Sequence, residues 1–416
     1  MENKTVIQPT KKESRIDLLD VYRGFAVLGI FVVNIVIMNS TFLNQDEFAQ
    51  QWTSGIDRIS ERILQLFFYT KFFPIFSLLF GLGISMQALK LKEKGRLSFS
   101  FFARRMFILF LIGVFHIIFI WSGDVLNLYA LLGLMVTTLI GRSNRLILFL
   151  SFFFLLFPFY DEVMGFFMES LNYDPGSYLN GYDGELVNQI ISEGSYLEGI
   201  QLRIREYLSN VPMLFSFLAP IALSVFLLGL YLGKNQIYKN LESFISRIGK
   251  PLLLAGILSN IYRLVFLFVL PEYDIYSDEN LRPYFVKAMV VSDVVMGIFY
   301  LWIIGWLWYN SKLKTLLKPL RYAGRMALTN YIMQSFLGLI LFSSIGFSLY
   351  ETMSPFQTLS TAVAIFSVQV IYSKLWLTYF KFGPLEWLWR CLTYKKLLPI
   401  RRLQKANLPE VGYEKQ

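Results

Sequence analysis

The stretch RRMFILFLIGVFHIIFIWSGDVLNLYALLGL, Arg104 to Leu134, decides the solvent in which this chain folds. From Met106 to Trp121 every residue is apolar or small except His116, the only histidine in the sequence. A run of this kind approaches the roughly 20 apolar residues that a membrane-crossing helix needs. A second apolar run follows at once. The two are joined only by Trp121-Ser122-Gly123-Asp124, a turn short enough to force an antiparallel hairpin, in which Gly123 can take positive φ at little cost.

Working outward, similar runs recur near 19–42, 62–89, 102–121, 125–141, 146–168, 210–233, 251–271, 284–309, 326–347 and 357–379. The expected fold is therefore all-α, a polytopic membrane helical bundle of about ten transmembrane helices. Composition agrees. Of 416 residues 55% are hydrophobic and 16% charged, more apolar surface than a single soluble core buries.

The net charge of +10 is carried mostly in alternate short connections, as in Lys90–Arg105, Arg142–Arg145, Lys234–Lys250 and Lys312–Arg325. That alternation follows the positive-inside rule, so it predicts cytoplasmic termini and makes nucleic acid an unneeded partner. The first run follows Lys11, Lys12 and Arg15 without a small-residue cleavage site, and reads as a retained helix. Cys391, the only cysteine, excludes an internal disulfide. One histidine and no cluster of ligands leave no expectation of a metal.

A single domain over 1–394 is expected, with an outer loop near 169–208 rich in Gly, Asn and Asp turn residues, as in NYDPGSYLNGYDGE. Pro384 to Tyr394 is too short to cross and carries Trp387, Trp389 and Arg390 as an interfacial helix would. The stretch 395–416 reads as a loose basic cytoplasmic tail.

Ionisable groups inside spans are costly and call for a partner or a purpose. Asn34, Lys71, His116, Arg263 and Asp293 fall at similar outer depth on five helices and could line one polar cavity. Simple neutralisation is the commoner outcome for a pair such as Arg263 and Asp293, and Lys71 could equally snorkel to the surface. His116 has no acid within its own helix, but Asp124 waits just beyond the helix end. A lone buried histidine is usually structural; this one is also the only side chain that titrates unperturbed near neutrality.

Spacing sharpens the functional alternative. Arg105 and His116 are eleven residues apart, as are Arg23 and Asn34, which places each pair on one helical face separated by about 16 Å. Two parallel helices would each present a basic mouth and a deep polar group. A long anionic donor with a reactive far end fits that geometry. Acyl-CoA, with acetyl-CoA first in view, would set its phosphates on Arg23 and Arg105, with Arg104, Arg325 and Arg390 as further basic contacts. Its thioester would lie near His116, acting with Asp124 and Asn34 as base or transient acyl carrier.

Asn330 and Gln334 share a helical face, and either touch the donor arm or bond a neighbouring helix. Gly81 and Gly83 read as close helix packing. Cys391 lies too near the cytoplasmic surface to serve as nucleophile.

Five stretches carry a resemblance: Arg15–Ile35, Phe73–Gly83, Arg104–Leu134, GRMALTNYIMQS at Gly324–Ser335, and FGPLEWLWRCLTY at Phe382–Tyr394. Together they make the chain similar to the YeiB-like bacterial membrane proteins, a domain of unknown function, over nearly its whole length. That family resembles the transmembrane acyltransferases, which include the acyltransferase-3 enzymes and the heparan-α-glucosaminide N-acetyltransferase. The resemblance implies transfer of an acyl group from cytoplasmic acyl-CoA to an extracytoplasmic hydroxyl or amine on a glycan or small molecule. Acyltransferase-3 proteins have histidine where this chain has Asn34. The heparan enzyme's histidine belongs to the following outer loop, and the stretch here, Ser40–Arg62, contains none.

The sequence-based expectation is thus a bacterial plasma-membrane acyltransferase in contact with lipid, acyl-CoA and an outer acceptor, with a homodimer compatible. The rival is an exporter of a small polar solute through the same polar layer. Broken helices or duplicated halves would mark it, and the sequence displays neither. A third reading is a scaffold whose histidine reports pH.

Overall fold

The computed structural model describes residues 15–41 and 44–402; Lys11, Lys12 and the tail beyond Arg402 lie outside the described residues. Within them the molecule is an all-helical membrane bundle. Leaving aside short turns, its elements are α1 Asp17–Asn39, α2 Gly55–Ile63, α3 Phe72–Glu93, α4 Phe99–Phe119, α5 Leu126–Thr138, α6 Asn144–Leu156, α7 Tyr160–Ser170 and α8 Gly184–Ser192. Then come α9 Tyr196–Ser209, α10 Ala219–Lys234, α11 Leu241–Phe268, α12 Arg282–Asn310, α13 Leu320–Arg325, α14 Ala327–Phe342, α15 Pro355–Tyr379 and α16 Pro384–Tyr394.

Each of the ten expected runs is helical, but among the described residues seven helical segments are long and apolar enough to cross a membrane. The other three fall short for identifiable reasons. The α5 helix has 13 residues and α14 has 16, about 20 and 24 Å at 1.5 Å per residue, less than the hydrocarbon thickness of about 30 Å. The run at 146–168 breaks around Pro158 into α6 and α7, which bend by 84°.

The run at 62–89 is also interrupted. A π-turn at Leu64–Phe68 and the turn Tyr69–Lys71 separate α2 from α3, and Thr70 there has φ 65°, a strained value for a β-branched residue. Buried ion pairs fasten this break. Asp293 on α12 meets Lys71 Nζ and Arg263 Nη1, each at 2.9 Å, and accepts a bond from the Thr70 hydroxyl.

The α3 and α10 helices share the most extensive interface in the bundle. A Cβ on Gly81 would lie 2.1 Å from the Phe226 carbonyl oxygen, and one on Gly229 would lie 2.3 Å from that of Leu78. Glycine on both faces lets the backbones approach where any side chain would hold them apart. The α1 helix packs against α3, α13, α14 and α15, and α4 forms its hairpin with α5. The start of α15 is capped by its own sequence: Ser354 and Gln357 form a capping box with Pro355 at the first helical position.

Gly123 does not take positive φ; among the described glycines only Gly95 and Gly181 do. Its lack of a side chain instead admits the Trp121 ring, which a Cβ would meet at 2.3 Å. The expected outer loop is largely ordered into α8 and α9, and it docks on α4 through Tyr196 and Arg203, which donate to the carbonyls of Phe119 and Ile118. The expected loose tail is bound at its start. Residues up to Arg402 pair back on the end of α15, with Lys381 N bonded to Ile400 O at 2.8 Å and Arg402 N to Tyr379 O at 2.9 Å.

Candidate functional site

A cavity of about 1140 Å³ opens between α1, α3, α4, α14 and α16. Its wall follows α3 from Phe72 to Glu93, about 31 Å of helix, so it runs through a depth comparable to the apolar layer. The two ends differ in chemistry. One gathers Arg15, Arg23, Lys90, Lys94, Arg105, Arg325 and Arg390 against Asp20, Glu93 and Glu386. The other holds Asn34, Tyr69, Thr70, Trp121, Ser122 and Tyr331.

Seven basic side chains against three acidic ones leave the first end electropositive, and two of those acids are already engaged. Asp20 pairs with Arg15 and with Arg23, the latter at 2.9 Å. Glu386 accepts from Leu328 N at 2.7 Å, Thr329 N at 3.1 Å and the Thr329 hydroxyl at 2.6 Å, capping the start of α14. Arg390 is held below the ordinary guanidinium range by burial, with Arg15 and Arg23 adding to the depression and Tyr394 and Glu386 opposing it. Arg325 is lowered to about 10, by burial first and then by Arg15. Its Nε has no hydrogen-bond partner. Crowded cations with unused donors form a receptor for a multiply charged anion.

The α16 helix contributes Glu386, Trp389 and Arg390 to the wall at this end. Trp389 donates its indole N–H to the Arg105 carbonyl at 2.9 Å, and the Arg105 guanidinium lies 3.7 Å from the centre of the same ring. Of the basic residues expected to hold a donor, Arg23, Arg105, Arg325 and Arg390 line the cavity. Arg104 does not, because one residue along a helix turns the side chain by about 100°.

Asn330 and Gln334 are also absent from the wall. They are spent between α14 and α15, where Asn330 donates to Ser373 Oγ at 3.0 Å and Gln334 to Gln369 Oε1 at 2.8 Å.

The outer polar residues do not line one cavity, contrary to the expectation from depth; they separate into three groups. Asn34 faces the cavity. Lys71, Arg263 and Asp293 form the buried cluster described above, so Lys71 neither snorkels nor reaches the wall; its side chain is 0% exposed. His116 and Asp124 lie together behind the wall, with Nδ1 2.9 Å from Oδ1 and both side chains 0% exposed. Gly113, one turn before His116, permits this contact, since a Cβ there would strike Asn127 N at 2.5 Å and Asp124 Oδ2 at 3.0 Å.

Tyr331 connects the hidden pair to the cavity. Its hydroxyl donates to Asp124 Oδ1 at 2.9 Å, its ring meets the His116 ring edge-on at 5.5 Å, and it lines the wall. Asp124 also accepts from Leu126 N at 3.0 Å and so caps the start of α5. Tyr331 carries no charge to mark it within its apolar run, although it sits within GRMALTNYIMQS beside Asn330. For Glu386 a signal was available in the sequence, an acid four residues before Arg390 in FGPLEWLWRC.

Residues 232–396 match a family model described as a protein of unknown function (DUF418). Over 413 residues the chain is 28% identical to the uncharacterized protein YxaH of Bacillus subtilis (strain 168), covering 96% of this chain and 99% of the relative. It is 26% identical over 408 residues to the uncharacterized protein YeiB of Escherichia coli (strain K12), covering 92% and 97%. Over nearly its whole length the chain is thus similar to the YeiB-like proteins. An uncharacterized 39.9 kDa protein in the amylase 3' region of Bacillus acidopullulyticus is 28% identical, covering 96% and 100%. No solved structure matches. The match to the family model takes in Arg325, Tyr331, Glu386 and Arg390, whereas Arg23, Arg105, His116 and Asp124 lie in the part covered by the full-length relatives alone.

Proposed function

We propose that this protein is an acyl-CoA-dependent membrane acyltransferase of the bacterial plasma membrane, with its basic connections and termini in the cytoplasm. The observation that carries the reading is one cavity as deep as the apolar layer, with a cluster of arginines at one end and a polar wall at the other. At about 1140 Å³ it slightly exceeds the 300–1000 Å³ typical of small-molecule sites. A long ligand with a phosphate-rich head and an extended arm suits that shape. The diphosphate and ribose phosphate would lie against Arg23, Arg105, Arg325 and Arg390, and the thioester would reach the Asn34 and Tyr331 end.

At that end Asn34 is placed to hydrogen-bond the thioester carbonyl as charge develops on it. Tyr331, whose hydroxyl donates to Asp124 in the resting arrangement, would turn that hydrogen toward the leaving thiolate, while Asp124 and His116 hold its ring in place. His116, fully buried behind Tyr331, is therefore a positioning residue in this reading and not the group that touches the acyl carbon.

The test is binding and hydrolysis of acetyl-CoA and longer acyl-CoAs by the purified protein. Arg105→Ala should weaken donor binding at least tenfold. Tyr331→Phe should keep binding and lose turnover, and His116→Ala should follow Tyr331→Phe. If acyl-CoAs of several chain lengths neither bind nor stabilise the protein, the reading is wrong.

The interrupted helix at Tyr69–Lys71 favours a second reading, an exporter of small anions, because broken helices beside a deep cavity are a common transporter device. Coenzyme A release without net movement of the anion across proteoliposomes would decide for transfer.

A further inference from the structure

Polar groups are only part of the cavity wall at the end away from the arginines. The turn that opens α10 also reaches it, where Leu214, Phe217 and Leu218 line the cavity together with Phe68 and Phe73 from the α2–α3 break. This turn, Leu214–Leu218, is a π-turn, closed by the Ala219 N–H donating to the Leu214 carbonyl. Its origin is local: Pro220 has no N–H, so the Ser216 carbonyl loses its α-helical partner and the helix starts wide.

Helix register gives the depth of this turn. The α3 and α10 helices run parallel, with Gly81 against Phe226 and Gly233 against Ser85. Nine residues back along each lie Phe72 and Phe217, about 14 Å away by helical rise, so these two share a depth. Leu214 stands about 4 Å beyond that level. On α1, Gly29 packs on the Phe72 ring and Asn34 follows about 7 Å further on. The apolar turn therefore ends within about one helical pitch of Asn34, the level at which the thioester is placed.

An acetyl group carries a single carbon beyond the thioester carbonyl and leaves this apolar wall facing water. A longer chain covers it, and each methylene taken out of water adds about fourfold to affinity. The cavity has room for such a chain, since its volume exceeds the usual range of small-molecule sites. We propose that the acyl group is a fatty chain and not acetyl, held by Phe73, Leu214, Phe217 and Leu218 beside the thioester.

This assignment rests on the acyltransferase reading and names the donor class for its cavity, a fatty acyl-CoA. Two substitutions change the wall in opposite directions. Leu218→Trp fills the space beside the thioester, and Phe217→Ala enlarges it. Fatty chains also partition into detergent, but equally for every variant. The change in chain-length preference between variant and wild type therefore reports the protein alone.

The experiment uses the full chain in detergent, with isothermal calorimetry of acetyl-, butyryl-, octanoyl- and dodecanoyl-CoA. Octanoyl-CoA should bind the wild type at least tenfold tighter than acetyl-CoA. Leu218→Trp should cut that preference at least fivefold, and Phe217→Ala should shift the tightest binding toward dodecanoyl-CoA. Arg105→Ala should weaken all four thioesters by a similar factor, because it meets the head they share. Thermal unfolding profiles verify that each variant is folded.

Equal affinity for acetyl- and octanoyl-CoA overturns the assignment and leaves the acyltransferase reading standing. A preference for octanoyl-CoA that is the same in wild type, Leu218→Trp and Phe217→Ala also overturns it, since the chain would then rest on detergent or on another surface. If no thioester binds at all, the acyltransferase reading fails and this inference fails with it.

Discussion

At the scale of single residues, the buried charges are where this structure is most exposed to error by substitution. Asp293 alone faces both Lys71 and Arg263, and its side chain is 2% exposed. Asp293→Asn would leave two buried cations without a counter-charge, a loss of about 3–5 kcal/mol. Thermal unfolding in detergent should show it, and Lys71→Met combined with Asp293→Asn should recover part of the loss. Depth along the helices made the pairing of Arg263 with Asp293 legible in advance. That Lys71 joins them was not, because it depends on the turn at Tyr69–Lys71, which brings the lysine inward from a helix the sequence shows as continuous.

Glu206 gives a second residue-scale expectation. Its pKa is raised from 4.5, chiefly by burial. Above that value the unfolded chain has released a proton that the folded chain still holds, so this group's contribution to stability declines as pH rises. Glu206→Gln removes the dependence. The melting temperature of the variant relative to wild type should therefore climb as pH rises above 4.5, and a difference constant with pH would contradict the burial.

At the scale of elements, two glycines of one helix separate packing from function. A side chain on Gly81 would meet the α10 backbone at 2.1 Å, whereas one on Gly83 meets only Arg23 Nη2, at 4.0 Å, across the cavity. Gly81→Leu should abolish the folded protein in membranes. Gly83→Leu should fold and weaken acyl-CoA binding at least tenfold. Both glycines lie in FSLLFGLG and both read as packing residues from sequence; the positions of α10 beside Gly81 and of α1 across from Gly83 distinguish them.

The α16 helix follows the same logic. Its length and composition were readable, but its place beneath α14 comes from Glu386, whose carboxylate caps a helix 57 residues earlier in the chain. Glu386→Ala should cost about 1–2 kcal/mol and loosen Arg390 from the cavity, measurable as lower stability together with weaker donor binding.

At the scale of the whole molecule, the positive end of the cavity assembles from five separate stretches of chain, those bearing Arg15 and Arg23, Lys90 and Lys94, Arg105, Arg325, and Arg390. A donor held by several such charges should bind less tightly as ionic strength rises, since salt screens exposed charges over about 10 Å at 0.1 M. Affinity for acetyl-CoA measured between 50 and 500 mM salt, about one decade, should fall severalfold in the wild type. It should fall less steeply in Arg390→Gln.

Apolar runs of about 20 residues, flanked by basic connections, were enough to determine a membrane bundle, because the cost of unsatisfied backbone in lipid leaves helices as the available solution. The spacing of arginine from deep polar residue along α1 and α4 was equally local, since a continuous helix converts residue number into distance. What only the tertiary structure decided is which deep groups meet the cavity. Helical periodicity assigns a face, but the neighbour on that face is set by close approaches such as Gly113 against α5 and by turns such as Tyr69–Lys71. His116 therefore lies behind Tyr331 and not in the open, and the polar layer that depth alone suggested resolves into a salt-bridge cluster, a buried histidine–aspartate pair and a cavity wall.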